Sequence, residues 1–254
     1  MYQQKKYLSF LRKSTNQHGV HSPFVYNLVT NCFYDTKRHP EYKQLQAYRN
    51  QLLNNKQELE ITDLGAGSKV TSNKTRAVSS LAKHSGSTLK RAKLLFRLAK
   101  YFQFESILEL GTSLGIATQA LQLALPEAHI TSIEGCPNIS NTAKTHLGTH
   151  NNLNLLIGDF DTHLDQLETA SYDLVFFDGN HNQEATLNYF EKLLPKAHND
   201  TVFIFDDIYW SKDMTDAWET IKQHPKVTAT VDTFFWGLVF FRTEQAKEHF
   251  VVRV

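Results

Sequence analysis

The chain has 254 residues, 41% of them apolar, which is enough to bury a sizeable core, and a formal net charge of +1. It contains no apolar run of roughly 18 residues, so no transmembrane helix is expected. The opening MYQQKKYLSFLRK lacks the long apolar stretch and cleavage site of a secretory signal, and the expected location is cytoplasmic. Cys32 and Cys136 have no metal-binding or redox spacing and are read as reduced thiols.

The small net charge conceals a split. Residues 1–100 hold 18 Lys and Arg against 5 Asp and Glu, while residues 101–254 hold 9 against 21. Such asymmetry implies two parts with different tasks. A basic segment packing on an acidic remainder satisfies it, and so does a basic face for an anionic substrate, nucleic acid or membrane surface.

The first hundred residues read mainly as helices. KKYLSFLRK groups Tyr7, Leu8 and Leu11 at helical spacing. HGVHSPF is a break, with Pro23 placed to open the next helix through FVYNLVTNCFY, and Pro40 opens PEYKQLQAYRNQLL. His18 and His21 fall in that break and are read as structural. ELEITDL is a short strand candidate. LKRAKLLFRLAKYF is a basic amphipathic helix with an apolar stripe at Leu94, Leu95, Leu98 and Phe102.

From residue 105 the rhythm changes. ESILEL, AHITSIE, NLNLLIG, SYDLVFFD and DTVFIFDD alternate with helical stretches, which implies βαβ units and a parallel sheet. KVTATVD and FWGLVFFR have no helix between them and read as an antiparallel hairpin closing the edge.

Two segments end a strand in an acid and a glycine turn: ITDLGAGSKV (61–70) and ILELGTSLGI (107–116). In the second, Gly111 and Gly115 permit a close backbone approach, and a helix N-terminus follows with unsatisfied N–H groups. The next strand ends at Glu134, an acid suited to the two hydroxyls of a ribose. The first segment leads into a polar, basic stretch with no clear next strand, and no acid occurs between Asp63 and Glu105. It is read as a loop or a turn in a substrate lid, not as the nucleotide site. GTSLG also fits the G-x-S-x-G elbow of hydrolases, with Ser113 as nucleophile, Asp178 or Asp206 as the acid and His224 or His249 as the base. That template leaves Glu134 without a role, and its elbow would fall after the first strand of the sheet.

With these motifs in order, the chain resembles class I S-adenosylmethionine-dependent methyltransferases. LELGTSLGIAT looks like their first motif, SIEG like the second, IGDFD like the adenine-flanking segment and YDLVFFDGNH like the fourth strand. The resemblance covers residues 90–243. It implies an α/β, Rossmann-like class I methyltransferase fold, with a seven-stranded, mostly parallel sheet and an antiparallel terminal hairpin. Residues 1–88 would be a basic helical extension capping the acceptor side, and residues 89–254 the methyltransferase domain. The cofactor would be S-adenosylmethionine, bound by Glu109, Gly111, Thr112, Ser113, Gly115, Glu134, Gly135, Asp159 and Asp178.

The details look most like the catechol-type O-methyltransferase branch, and the pattern with HGVHSPF is similar to uncharacterised bacterial members. That branch holds a divalent cation between an Asp after the fourth strand and an Asp-Asn pair after the fifth. Here the corresponding residues are Asp178, Asp206 and Asp207, with Asp207 in place of the Asn. Oxygen-only ligands suit Mg²⁺, Ca²⁺ or Mn²⁺. Without a cation, one of these carboxyls orients the substrate or takes a proton. The branch places a catalytic Lys where this chain has His181, a credible general base beside Asp178. Tyr209 and Trp210 follow the second acid and either wall the acceptor pocket or simply pack, and Trp236 is expected in the core.

The expected activity is methyl transfer to a hydroxyl or amine of a small molecule, in a protein that is a possible homodimer. A nucleic-acid or protein methyltransferase using the basic N-terminal region competes with it, as does a non-catalytic binding protein. The intact Gly111–Gly115 turn and Glu134 argue against the last.

Overall fold

The computed structural model describes residues 2–62 and 75–254, and the chain divides into two compact units, Met1–Tyr34 with Leu164–Val254 and Asp35–His163. Among the described residues no helix is long and apolar enough to cross a membrane. The chain opens with α1 (Tyr2–Lys13), in which only Phe10 is buried; the stripe of Tyr7, Leu8 and Leu11 is exposed. Then α2 (Pro23–Leu28) starts at Pro23 as the sequence suggests. Ser22 caps it by accepting from the Val25 N–H, and a π-helical turn, Val29–Phe33, continues it.

The Asp35–His163 unit begins with α3 (Glu41–Asn54) directly after Pro40. A two-stranded antiparallel ribbon follows, β1 (Glu58–Glu60) with β2 (Thr75–Ala77), and then α4 (Val78–His84). The sequence reading missed β2 and α4, because three partly exposed residues and a seven-residue helix with only Val78, Leu81 and Ala82 buried carry little hydrophobic periodicity within a polar, basic stretch. The span Asp63–Val70 of the first glycine segment lies outside the described residues.

Next, α5 (Leu89–Phe102) has the expected bounds. Thr88 caps its start, and Gln103, in the left-handed region, ends it. The strands β3 (Ser106–Leu110), β4 (His129–Glu134) and β5 (Leu153–Ile157) lie parallel in that order. They alternate with α6 (Ile116–Ala124), α7 (Pro137–Leu147) and α8 (Phe160–Gln166). The register sets Glu109 opposite Ser132 and Leu110 opposite Ile133. That alignment places the first glycine turn beside the carboxyl end of β4.

The other unit is built on β6 (Leu174–Phe177) and β7 (Val202–Asp206), which are parallel and buried throughout, as strands covered on both faces must be. They are linked by α9 (Gln183–Leu193), and α10 (Lys212–Gln223) follows β7. Phe177 and Phe205 stack with ring centroids 4.2 Å apart, and Phe190 closes on Phe203 and Phe205. The expected terminal hairpin forms from β8 (Ala229–Asp232) and β9 (Trp236–Phe240), and β9 is also antiparallel to β7.

An additional strand, β10 (Glu248–Val251), runs parallel to β8. Among the described residues the two units thus contribute three and five such strands, one more than the seven expected. The outer edge of β10 is covered in turn. Thr15 donates to the Val251 carbonyl at 2.9 Å and accepts from the Arg253 N–H at 3.1 Å, which satisfies backbone groups that a bare edge would expose.

A side chain at Gly237 would put its Cβ 2.6 Å from the Trp218 ring. Gly237→Ala is therefore expected to destabilise the protein by about 1–3 kcal/mol. Thermal or denaturant melting reads this directly, and an unchanged midpoint would contradict the packing of α10 on β9.

Candidate functional site

In the Asp35–His163 unit, the carboxyl ends of three strands carry the residues singled out in the sequence. After β3 the chain turns through Gly111–Gly115, and the N–H groups of Gly111 and Thr112 both donate to the Ile133 carbonyl, at 2.9 and 3.2 Å. Ser113 sits at φ 48°, a left-handed conformation uncommon for a non-glycine residue. Its N–H donates to Glu134 Oε2 at 2.8 Å, and the Cys136 N–H donates to Glu134 Oε1 at 2.9 Å. The acid ending β4 is thereby held against the glycine turn.

Gly115, at φ 75°, caps α6. A Cβ there would lie 2.8 Å from Tyr48 Oη and 2.9 Å from Leu147 Cδ1, so protein packing alone requires glycine. Tyr48 also donates to the Leu114 carbonyl at 2.8 Å, bracing the turn from α3.

Beneath the turn lies Glu109, fully buried. Its Oε2 accepts from Ser132 Oγ at 2.5 Å and Thr118 Oγ1 at 2.6 Å, and Thr112 Oγ1 bonds Ser132 Oγ at 2.5 Å. Its Oε1 is buried with no hydrogen-bond partner among the described residues. Burial raises the carboxyl to about 7, opposed by the two hydroxyl bonds and reinforced by the neighbouring Glu134 charge. The sequence reading did not single out Ser132 or Thr118. Ser132 stands two residues before Glu134, as Glu109 stands two before Gly111, so aligning the two strand ends would have paired them.

Gly135 separates Glu134 from Cys136. The Gly158 N–H donates to the Glu134 carbonyl at 3.0 Å, tying the end of β5 to that of β4. Asp159 is exposed. Its Oδ1 accepts from the Thr162 N–H at 2.8 Å in the first turn of α8, and that backbone bond holds its carboxyl below the usual range. Thr62 donates to Cys136 Sγ at 3.4 Å, and Asn138 Nδ2 to the Glu60 carbonyl at 2.8 Å, so the end of β1 sits beside the start of α7.

The other unit carries its own cluster at the ends of β6 and β7. Asp178, His181 and Asp206 each offer one ligand atom, all within 4.8 Å of one another. His181 Nε2 lies 4.0 Å from Asp178 Oδ1. Asp206 is 5% exposed and accepts from Trp236 Nε1–H at 2.7 Å, which fixes its side chain. Trp236 is in the core as expected, and its bond to an acid at a strand end went unforeseen. Asn180 (φ 53°) and Asp207 (φ 52°) are left-handed non-glycine residues beside these acids, and Asn180 is pinned by Tyr189 Oη at 3.0 Å and by Asn182.

Asp207 stands outside the cluster, and His181 takes its place. The donor set therefore differs from the expected three carboxylates: it is two oxygens and one imidazole nitrogen. Ligand atoms on a single ion at about 2.0–2.3 Å lie at most about 4.6 Å apart, so these three stand close to the spacing a cation would require. The imidazole favours Mn²⁺, Fe²⁺, Co²⁺ or Zn²⁺ over Mg²⁺ and Ca²⁺.

Tyr209 packs on Phe234 and donates a short hydrogen bond to the buried Asp232, and burial raises the pKa of both groups. The hydrolase alternative draws no support from its histidines. His224 faces Glu191 at 3.8 Å, and His249 bonds Thr230 Oγ1 at 2.9 Å. His18 bonds Gln17 in the exposed turn after α1.

Residues 108–208 match a family model described as a methyltransferase domain. Solved structures share the architecture at low identity. The O-methyltransferase TomG from Streptomyces achromogenes, involved in tomaymycin synthesis and solved with SAM, is 18% identical over 90% of this chain and 99% of its own, with a TM-score of 0.58. The SAH-bound methyltransferase PaMTH1 of Podospora anserina is 13% identical over 88% and 97%, with a TM-score of 0.61. An O-methyltransferase from Bacillus cereus in complex with SAH is 16% identical over 83% and 95%, with a TM-score of 0.56. The fold is the mixed α/β, Rossmann-like fold of class I methyltransferases.

The raised Glu109 carboxyl has a consequence for stability. The folded state keeps its proton up to about 7 against an ordinary 4.5, so it binds more protons than the unfolded chain between those values. This contribution is full below the ordinary value and is lost as pH rises through the folded one, up to the order of 3 kcal/mol. Denaturation of the ligand-free protein from pH 4.5 to 8 should show that decline, and Glu109→Gln should flatten it. A variant with the wild-type slope would contradict the assignment.

Proposed function

We propose that this chain, whose residues 108–208 carry a methyltransferase domain, transfers a methyl group from S-adenosylmethionine to a hydroxyl, or an amine, of a small molecule. The observation that carries this reading is the Glu134 carboxylate, anchored by the Ser113 and Cys136 N–H groups against the glycine turn. In this reading it receives the ribose hydroxyls. Gly111, Thr112, Ser113 and Gly115 form the backbone cradle for the methionine portion. The partnerless Glu109 Oε1 is a buried acceptor of the kind an ammonium group fills. Gly135 and Asp159 flank the adenine.

S-adenosylmethionine, when bound, supplies a methyl group already activated on a sulfonium. What remains for the protein is alignment and the removal of one proton from the acceptor. The cluster after β6 and β7 has that chemistry. In this reading Asp178 contacts the cofactor and lies 4.0 Å from the His181 imidazole, which takes the acceptor proton. The basic residues 1–88 serve as an extension on the acceptor side.

The cluster supports a second reading of the same atoms, in which Asp178, Asp206 and His181 would hold a divalent cation, which would supply Lewis-acid activation of the acceptor hydroxyl. A nitrogen bound to a cation has no lone pair for a proton, so the two readings exclude each other at that atom.

Calorimetry with S-adenosylmethionine is expected to show binding to the wild type and a loss of at least about tenfold in Glu134→Ala, since hydrogen bonds to a charged group are removed. Equal binding would sink the ribose assignment. If His181 is the base, His181→Ala lowers kcat by about 10²–10⁴ and a strong chelator leaves the wild type unaffected. If a cation is held, the chelator abolishes activity, and Asp178→Asn and Asp206→Asn lose the cation-dependent activity.

A further inference from the structure

We propose that the outward face of α1, together with Phe235 at the tip of the β8–β9 hairpin, is a docking surface for an anionic lipid bilayer. Six large hydrophobic side chains are exposed among the described residues, and four of them lie here: Leu8 (57% exposed), Phe235 (45%), Tyr7 (43%) and Leu11 (37%). At 100° per residue, Tyr7, Leu11 and Leu8 span an arc of about 100° that begins about 60° from the buried Phe10 at Tyr7 and ends about 160° from it at Leu8, with Lys5 and Arg12 along the far edge. The hairpin tip joins this face through Phe234, whose ring is 4.8 Å from that of Tyr7 and 5.0 Å from that of Phe235. Phe234 holds a left-handed backbone, φ 74°, costly for a bulky residue, and its neighbour Phe235 points to solvent.

Charge selects the occupant. The helix has no acidic residue and carries Lys5, Lys6, Arg12 and Lys13; Lys5, Arg12 and Lys13 are exposed, and Lys6 lies over the Tyr2 and Tyr209 rings. A second copy docking through this face by two-fold symmetry would set like charges against each other. A nucleic acid would meet the lysines but leave Leu8 and Leu11 without a partner. An anionic bilayer satisfies both features, taking leucine and aromatic side chains into its interface while the basic groups lie among the phosphates. A single short helix gives modest affinity, so docking is reversible and weakened by salt.

Flotation of the full chain with vesicles tests this. One set is phosphatidylcholine alone, and the other contains about one-third phosphatidylglycerol. Two double variants accompany the wild type, Leu8→Asp with Leu11→Asp and Lys5→Glu with Arg12→Glu. All four side chains are exposed, so melting should match the wild type. The wild type is expected to float with the anionic vesicles, and each variant to bind them at least about tenfold less. Failure of the wild type to float, equal flotation with neutral vesicles, or variants that float like wild type would overturn the proposal. So would light scattering showing a wild-type dimer that the leucine variant makes monomeric, because a second copy would then occupy the face. Salt-sensitive RNA binding lost in the charge variant, without vesicle binding in the wild type, would overturn it as well.

Discussion

Glu134 is the constraint on which the arrangement in the Asp35–His163 unit depends. A carboxylate at the end of a strand, left to solvent, would have no fixed direction. Here two backbone N–H groups, from Ser113 and Cys136, take one oxygen each and fix it between the glycine turn and the start of α7. Charge-assisted bonds of this kind are about twice as strong as neutral ones, which is enough to stabilise the left-handed Ser113 backbone. The same bonds leave the carboxylate oriented before any ligand arrives, so less ordering remains to be done on binding.

Below it, Glu109 faces the opposite problem. It is buried among Ser132, Thr118 and Thr112, and one of its oxygens has no partner within the described residues. Burial disfavours its charged form and raises its carboxyl, and the charge of Glu134 on the neighbouring strand adds to the effect. A bound cationic group would reverse that balance. In the proposed function this turns an energetic liability of the ligand-free protein into affinity for a positively charged cofactor. The cluster of Asp178, His181 and Asp206 applies the same economy: strained backbone at Asn180 and Asp207, and a tryptophan donor at Asp206, hold polar side chains in one orientation.

Much of this was legible in the sequence, because the alternation of apolar runs and helices from residue 105 has one dominant physical solution, a parallel sheet with strand ends on one side. The bounds of α5 and the turn at 111–115 followed from periodicity and from glycine and acid spacing. Legibility failed where the signal was short or depended on partners distant in sequence. The strand β2 and the edge strand β10 are only three and four residues long, and pairing rather than pattern decides them. The stripe on α1 was visible, yet its direction was not: Phe10 faces inward and Leu8 outward, a choice set by the hairpin tip some 225 residues away. Likewise, sequence order suggested Asp207 beside Asp206, whereas β7 ends at Asp206, the chain turns through a left-handed Asp207, and the ligand atoms that come together include His181 from the loop after β6.

The central claim is that one nucleoside lies between the 111–115 turn and Glu134. A crystal structure of the protein soaked with S-adenosylhomocysteine tests it most directly. The account predicts ribose hydroxyls within about 2.5–3.0 Å of the Glu134 carboxylate oxygens, the separation of charged hydrogen bonds, with the Ser113 bond retained. Density for the nucleoside elsewhere, or a Glu134 side chain turned away from it, would contradict the account.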